Sequence, residues 1–106
     1  MKKNIFTIGL NDKDKEIQII STPEAKQIIA ETLINKYDVF AFTMYECAGV
    51  YRMNSTGAII QEASIRVEIA TDEELTAADG IIGELKERLN QESIMHEVTE
   101  ANIYFK

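Results

Sequence analysis

An α+β fold, with one four-stranded antiparallel sheet and two helices packed on one of its faces, is predicted by three features of this chain. The first is a long hairpin signal from Asp38 to Ala70. The second is a pair of amphipathic helical stripes, one on each side of that hairpin. The third is a short apolar segment at each end of the chain, each suited to a strand.

Ile5 to Leu10 reads as the first strand, and Asn11 to Lys15 as a polar loop. Glu16 to Ile20 is extended and suited to a brief edge pairing. Thr22-Pro23-Glu24 marks a helix start. Thr22 can cap, Pro23 fits the first turn because its missing N–H costs nothing there, and Glu24 faces the positive end of the dipole. Ala25, Ile28, Ile29, Thr32, Leu33 and Tyr37 recur at three- and four-residue steps, which carries the helix to about Tyr37.

The hairpin's first arm, Val39 to Tyr45 and on to Met53, is rich in aromatic and β-branched residues. Gly49 inside it suggests a bulge or a close backbone approach. Asn54-Ser55-Thr56-Gly57 supplies the turn. On the second arm Ile59, Ala63, Ile65, Val67 and Ile69 share one face, with Gln61 as the single break, and Glu62, Ser64, Arg66 and Glu68 share the other. A period of two with one apolar side means one face on a core and one in water. A slip of one residue would bury Arg66 and Glu68, so the register is strongly specified.

Thr71-Asp72-Glu73-Glu74 matches a capping box, and Leu75, Ala78, Ile81, Ile82, Leu85 and Leu89 form the second helical stripe, ending near Asn90. Glu84 and Arg88 stand in the favourable i, i+4 order. Gly80 and Gly83 suggest close approach to a neighbouring element. A last strand is expected from Ser93 to Val98 and again from Asn102 to Phe105. The order strand-helix-strand-strand-helix-strand, with right-handed crossovers, is the ferredoxin-like arrangement in a single domain spanning residues 1–106.

Composition narrows the chemistry. A net charge of −7, from 18 acidic and 11 basic residues, argues against a broad nucleic-acid-binding face. Lys2, Lys3, Lys13 and Lys15 are the only basic concentration and read as solvated. Cys47 is the one cysteine, so no intramolecular disulfide is available and a thiolate zinc cluster is ruled out within one chain. The apolar run Ile5 to Leu10 is too short for a signal-peptide core or a membrane span, which points to a cytoplasmic protein without a membrane partner. Nucleotide-loop, zinc-protease and hydrolase motifs do not occur, and no cofactor or metal is implied. His96, the single histidine, reads as a strand residue, and Cys47 as a small hydrophobe. Glu62 and Glu68 are six residues apart on one strand, roughly 20 Å, too far for a carboxylate pair.

The open sheet face is where function is expected. Alternation puts Glu62, Ser64, Arg66 and Glu68 there, with Thr43 and Tyr45 from the second strand and Tyr104 and Lys106 from the last. Such a face suits a homodimer joined through a two-fold axis. Arg52 should lie opposite Ile59, within reach of neighbours on the next strand. Arg52 and Glu62 read as a hairpin salt bridge, or Arg52 as a fork presented to a small anionic ligand.

Gly49-Val50-Tyr51-Arg52, then Gly57 to Ser64, then Leu89 to Ile94 resemble a family of small bacterial proteins known only as a domain of unknown function. The resemblance covers about residues 40–105. It implies a ferredoxin-like fold, carries no activity, and adds Gln91 to Arg52, Glu62, Tyr45 and Tyr51 as ligand-binding candidates. Three functions follow as expectations. The leading one is a non-enzymatic homodimeric binding or regulatory module. The others are a small cofactor-free enzyme with its site between sheet and helices, and an acidic interaction protein of a mobile element that blocks a basic protein partner.

Overall fold

The computed structural model describes residues 1–106. Its elements are β1 (Lys2–Gly9), α1 (Thr22–Glu31), β2 (Thr43–Arg52), β3 (Ile59–Thr71), α2 (Ala78–Arg88) and β4 (Met95–Glu100). The sheet is antiparallel in the order β2-β3-β1-β4, and the fold is ferredoxin-like, as expected. No helix is long and apolar enough to cross a membrane.

The alternation in β3 does what its pattern dictates. Ile65, Val67 and Ile69 point into the core with Phe6 and Ile8 of β1, and Ala25, Ile29, Ile81 and Leu85 of the helices close over them. Each fully buried Ile, Leu or Phe contributes about 1.5–3 kcal/mol relative to exposure. These side chains fill the layer between sheet and helices. Gly80 lets Tyr37 lie against α2, since a Cβ there would meet the Tyr37 hydroxyl at 3.0 Å.

Several local expectations are corrected. Ser21, not Thr22, caps α1, its hydroxyl accepting from the Glu24 N–H at 3.3 Å. The last turn of that helix, Thr32–Lys36, is π-helical. The first arm of the hairpin enters the sheet only at Thr43. Gly49 makes no bulge, because the β2–β3 register runs unbroken through Ala48↔Ala63 and Gly49↔Glu62. The Thr71–Glu74 capping box does not form. Thr71 is still in the sheet opposite Lys2, and α2 starts at Ala78 with no side-chain cap. Glu84 and Arg88 do not pair: Glu84 takes Lys36 at 2.9 Å, and Arg88 takes Glu31 at 3.8 Å and the Thr32 hydroxyl at 2.8 Å. The last strand is the single run Met95–Glu100, so Tyr104 and Lys106 are off the sheet and Tyr104 is 73% exposed.

The β2–β3 hairpin outruns the helices and draws the molecule to 47 × 26 × 23 Å. Val50 and Ile59, on the face that the helices would cover, are therefore 65% and 62% exposed. The turn closes with Met53 N–H to Ala58 O at 2.8 Å and Gly57 N–H to Met53 O at 2.7 Å, with Gly57 at φ 73°.

Candidate functional site

The antiparallel β1–β3 register decides the site. Gly9 lies opposite Ser64, so the chain leaving β1 runs beside Glu62 near the base of the protruding hairpin. The end of α2 reaches the same place. The result is an open crevice of about 470 Å³, bordered by Asn11, Asp12, Tyr51, Arg52, Glu62 and Gln91, among others. It lies at the end of the sheet rather than between sheet and helices.

Gly9 leaves room for the Glu62 carboxylate, because a Cβ built on it would overlap that carboxylate. That carboxylate accepts the Asn11 backbone N–H at 2.8 Å. The Asn11 side-chain amide donates to the Tyr51 hydroxyl at 3.4 Å. Gln91, only 7% exposed, donates to the Asn11 carbonyl at 2.8 Å and to the Leu89 carbonyl at 3.3 Å.

Asn90, at φ 48°, staples the loop that forms the crevice wall. Its side-chain amide donates to Asp12 at 2.7 Å and Asp14 at 2.9 Å, and its carbonyl accepts from Lys13 N–H at 3.1 Å. The Asn90 hydrogen bond, and after it the Lys15 backbone N–H, hold the Asp12 carboxyl below its usual range. A depressed carboxylate contributes stability that is present above its unfolded value and lost as pH falls through the folded one. The loop should therefore loosen only in acid, below the ordinary carboxylate range, and Asn90→Ala should move that loosening to higher pH. Amide-exchange protection of Asp14 and Lys15 across falling pH checks this; identical profiles in both proteins would contradict it.

Tyr51, Arg52, Glu62 and Gln91 thus come together in one crevice, and Tyr45 does not. Tyr45 lies further along β2 on the open face, where Thr43, Ser64, Arg66 and Glu68 also fall. Its hydroxyl accepts from Arg66 Nε at 3.0 Å, and Arg66 also reaches Glu97 at 3.4 Å. Arg52 and Glu62 make no salt bridge. Alternation puts them on opposite faces of the hairpin, and Arg52 instead donates to the Gly57 carbonyl at 3.3 Å. His96 stacks on Phe6 at 4.5 Å and bonds Asn4 at 2.9 Å, a packing role. Cys47 is half-buried opposite Ser64.

Sequence reasoning missed Asn11, Asp12 and Glu16, because they sit in a polar loop with no motif. The available signal was the strand pairing: a first strand beside the third carries whatever follows it to Glu62.

No protein-family model matches the chain, and no curated protein sequence matches it either. Solved structures do. A phage SAM lyase in complex with S-methyl-5'-thioadenosine is 24% identical, covers 93% of this chain and 80% of its own, and has a TM-score of 0.67. A phage SAM lyase in the apo state is 26% identical over 92% of this chain and 78% of its own, with a TM-score of 0.60. A DUF3240 family protein from Shewanella baltica is 10% identical over 99% of this chain and 94% of its own, with a TM-score of 0.54. The likenesses at 24% and 10% identity are ones of fold, and the last is consistent with an uncharacterised small domain family.

Proposed function

We propose that this chain is a small cofactor-free enzyme that cleaves S-adenosylmethionine, with its site in the crevice between Tyr51, Glu62 and the Asn11–Glu16 loop. The observation that carries this reading is the charge layout of that crevice on a fold similar to phage SAM lyase. Asp12, Glu16, Glu62 and Glu92 border it, against the two cations Lys13 and Arg52. S-adenosylmethionine at neutral pH carries an ammonium, a sulfonium and a carboxylate, a net positive charge that suits this excess of acid. Glu62 faces the sulfonium or ammonium, and the Tyr51 ring offers a π face to the same cation. Arg52 or Lys13 takes one oxygen of the carboxylate and leaves the other free. A purely anionic ligand fits this crevice less well.

Cleavage that yields S-methyl-5'-thioadenosine breaks the bond between sulfur and the γ-carbon of the methionine chain. That electron pair neutralises the sulfonium, so the leaving group is a neutral thioether and needs no proton. With no water added, the substrate's own carboxylate oxygen can form the new bond to the γ-carbon and close a five-membered lactone. The protein's task is then to hold the chain folded, with the carboxylate against the γ-carbon. An S-adenosylmethionine enzyme also accords with the cytoplasmic setting expected from the sequence.

Calorimetry with S-adenosylhomocysteine, which keeps the ammonium and the carboxylate but has no sulfonium to cleave, tests the site. Binding by the native protein that is lost in Gly9→Ala is the expected result, because an alanine methyl displaces the Glu62 carboxylate. The melting temperature should hardly move, since only the far end of a flexible side chain must shift, at under about 1 kcal/mol. No binding by the native protein, or undiminished binding by the variant, would contradict the reading.

A second reading, a self-associating binding module, is favoured by one observation: Val50 and Ile59 stand exposed on the protruding hairpin. Light scattering on the native protein and on Val50→Ser with Ile59→Ser tests it. A native monomer would exclude it. In this reading the hairpin, rather than the open face, is the contact of the expected homodimer.

A further inference from the structure

The crevice hangs on one residue that no motif singles out. Asn11 touches three of the elements that form it: its N–H goes to Glu62 on β3, its side-chain amide to Tyr51 on β2, and its carbonyl receives Gln91 from the end of α2. We propose that Asn11 is the positioning residue of the crevice, fixing which hydrogen-bonding atoms Tyr51 and Glu62 turn toward a ligand. The identity of that ligand rests on the reading above; the positioning role does not.

A phenol oxygen that accepts from an amide N–H keeps its own hydrogen for a different acceptor. Asn11 therefore leaves Tyr51 as a donor toward the crevice. The Glu62 carboxylate, with Oε2 engaged by the backbone N–H, keeps Oε1 free as an acceptor. The site then offers a ligand one directed donor and one directed charge. Gln91 locks the arrangement from behind. Both of its amide contacts are to backbone carbonyls, so it holds Asn11 in place from the crevice wall. The Asn90 staple on Asp12 fixes the next residue of the same loop.

Two variants separate the parts of this arrangement. Asn11→Ala removes only the bond to Tyr51, because the contacts to Glu62 and Gln91 are made by the backbone at position 11. It should fold as the native protein does. Asn11→Asp keeps the shape and reverses the polarity: the new carboxylate accepts from the Tyr51 hydroxyl, turns its hydrogen away from the ligand, and stands as a like charge beside Glu62.

The experiment uses the full chain with 13C-labelled tyrosine. The ring resonance next to the Tyr51 hydroxyl is assigned by its loss in Tyr51→Phe. It should move in both Asn11 variants and stay fixed in Lys15→Ala, which alters the same loop away from Tyr51. Turnover of S-adenosylmethionine should fall about 10-fold in Asn11→Ala and about 100-fold in Asn11→Asp, mostly in kcat, as expected when reacting groups are misplaced by about 1 Å. An unmoved Tyr51 resonance in both variants would overturn the positioning role, whatever the turnover. A native protein that shows no turnover, with the resonance moving as described, would overturn the reaction and leave the positioning role standing.

Discussion

Glu62→Gln should lower kcat/KM for S-adenosylmethionine about 100-fold while leaving the fold intact. The amide keeps the shape and can still accept the Asn11 N–H that the carboxylate now accepts at 2.8 Å. What it loses is the charge. A hydrogen bond to a charged group is worth about 1.5–3 kcal/mol, and a tenfold change corresponds to about 1.4 kcal/mol. Glu62 sits at a half-buried position with Gly9 beneath it, so water screens it less than it does Glu16 at the crevice rim. Glu16→Gln should accordingly cost only a few-fold. Steady-state kinetics on both variants decide the point, and equal losses would mean that general acidity of the crevice matters rather than Glu62.

The largest effect on stability is expected at Phe6. Phe6→Ala should destabilise the protein by about 3–5 kcal/mol, through lost burial and the cavity left behind. Phe6 is 1% exposed and stands opposite Val67 on β3 and His96 on β4. Its ring also stacks on His96 at 4.5 Å, nearly parallel at 5°. Removing it therefore loosens β4 as well as the core. In a protein of this size the melting temperature should fall by about 15–30 °C. Met95→Ala, one residue along β4 on the exposed side, should stay within about 0.5 kcal/mol of native. Thermal melts of the two variants test this, and a small loss at Phe6 would mean that the two helices close over the gap.

The fold was legible where a period and a burial demand coincided. The β3 alternation placed Ile65, Val67 and Ile69 inward, and the stripes through Ile29 and Leu85 placed the helices over them. Features decided by competition between elements were not legible. Thr71 to Glu74 has the composition of a capping box, but pairing with Lys2 keeps Thr71 in the sheet. Tyr104 has strand propensity, yet the sheet ends at Glu100.

The candidate site divides in the same way. Tyr51 and Glu62 are legible as candidates from the hairpin, and Gln91 only through the family resemblance. Their common crevice, however, depends on the β1–β3 register, which carries Asn11 to Glu62 across 51 residues of chain. The supposed Arg52–Glu62 bridge could have been rejected from the hairpin alone. With Arg52 opposite Ile59 and Gly49 opposite Glu62, the two side chains must point to opposite faces.

The most direct test of the proposed activity is a chromatographic assay of purified native protein incubated with S-adenosylmethionine and no added metal or cofactor. Stoichiometric conversion to S-methyl-5'-thioadenosine and a four-carbon fragment is expected, abolished or strongly slowed in Glu62→Gln. Unchanged S-adenosylmethionine after prolonged incubation with folded native protein, or equal conversion by the variant, would contradict it.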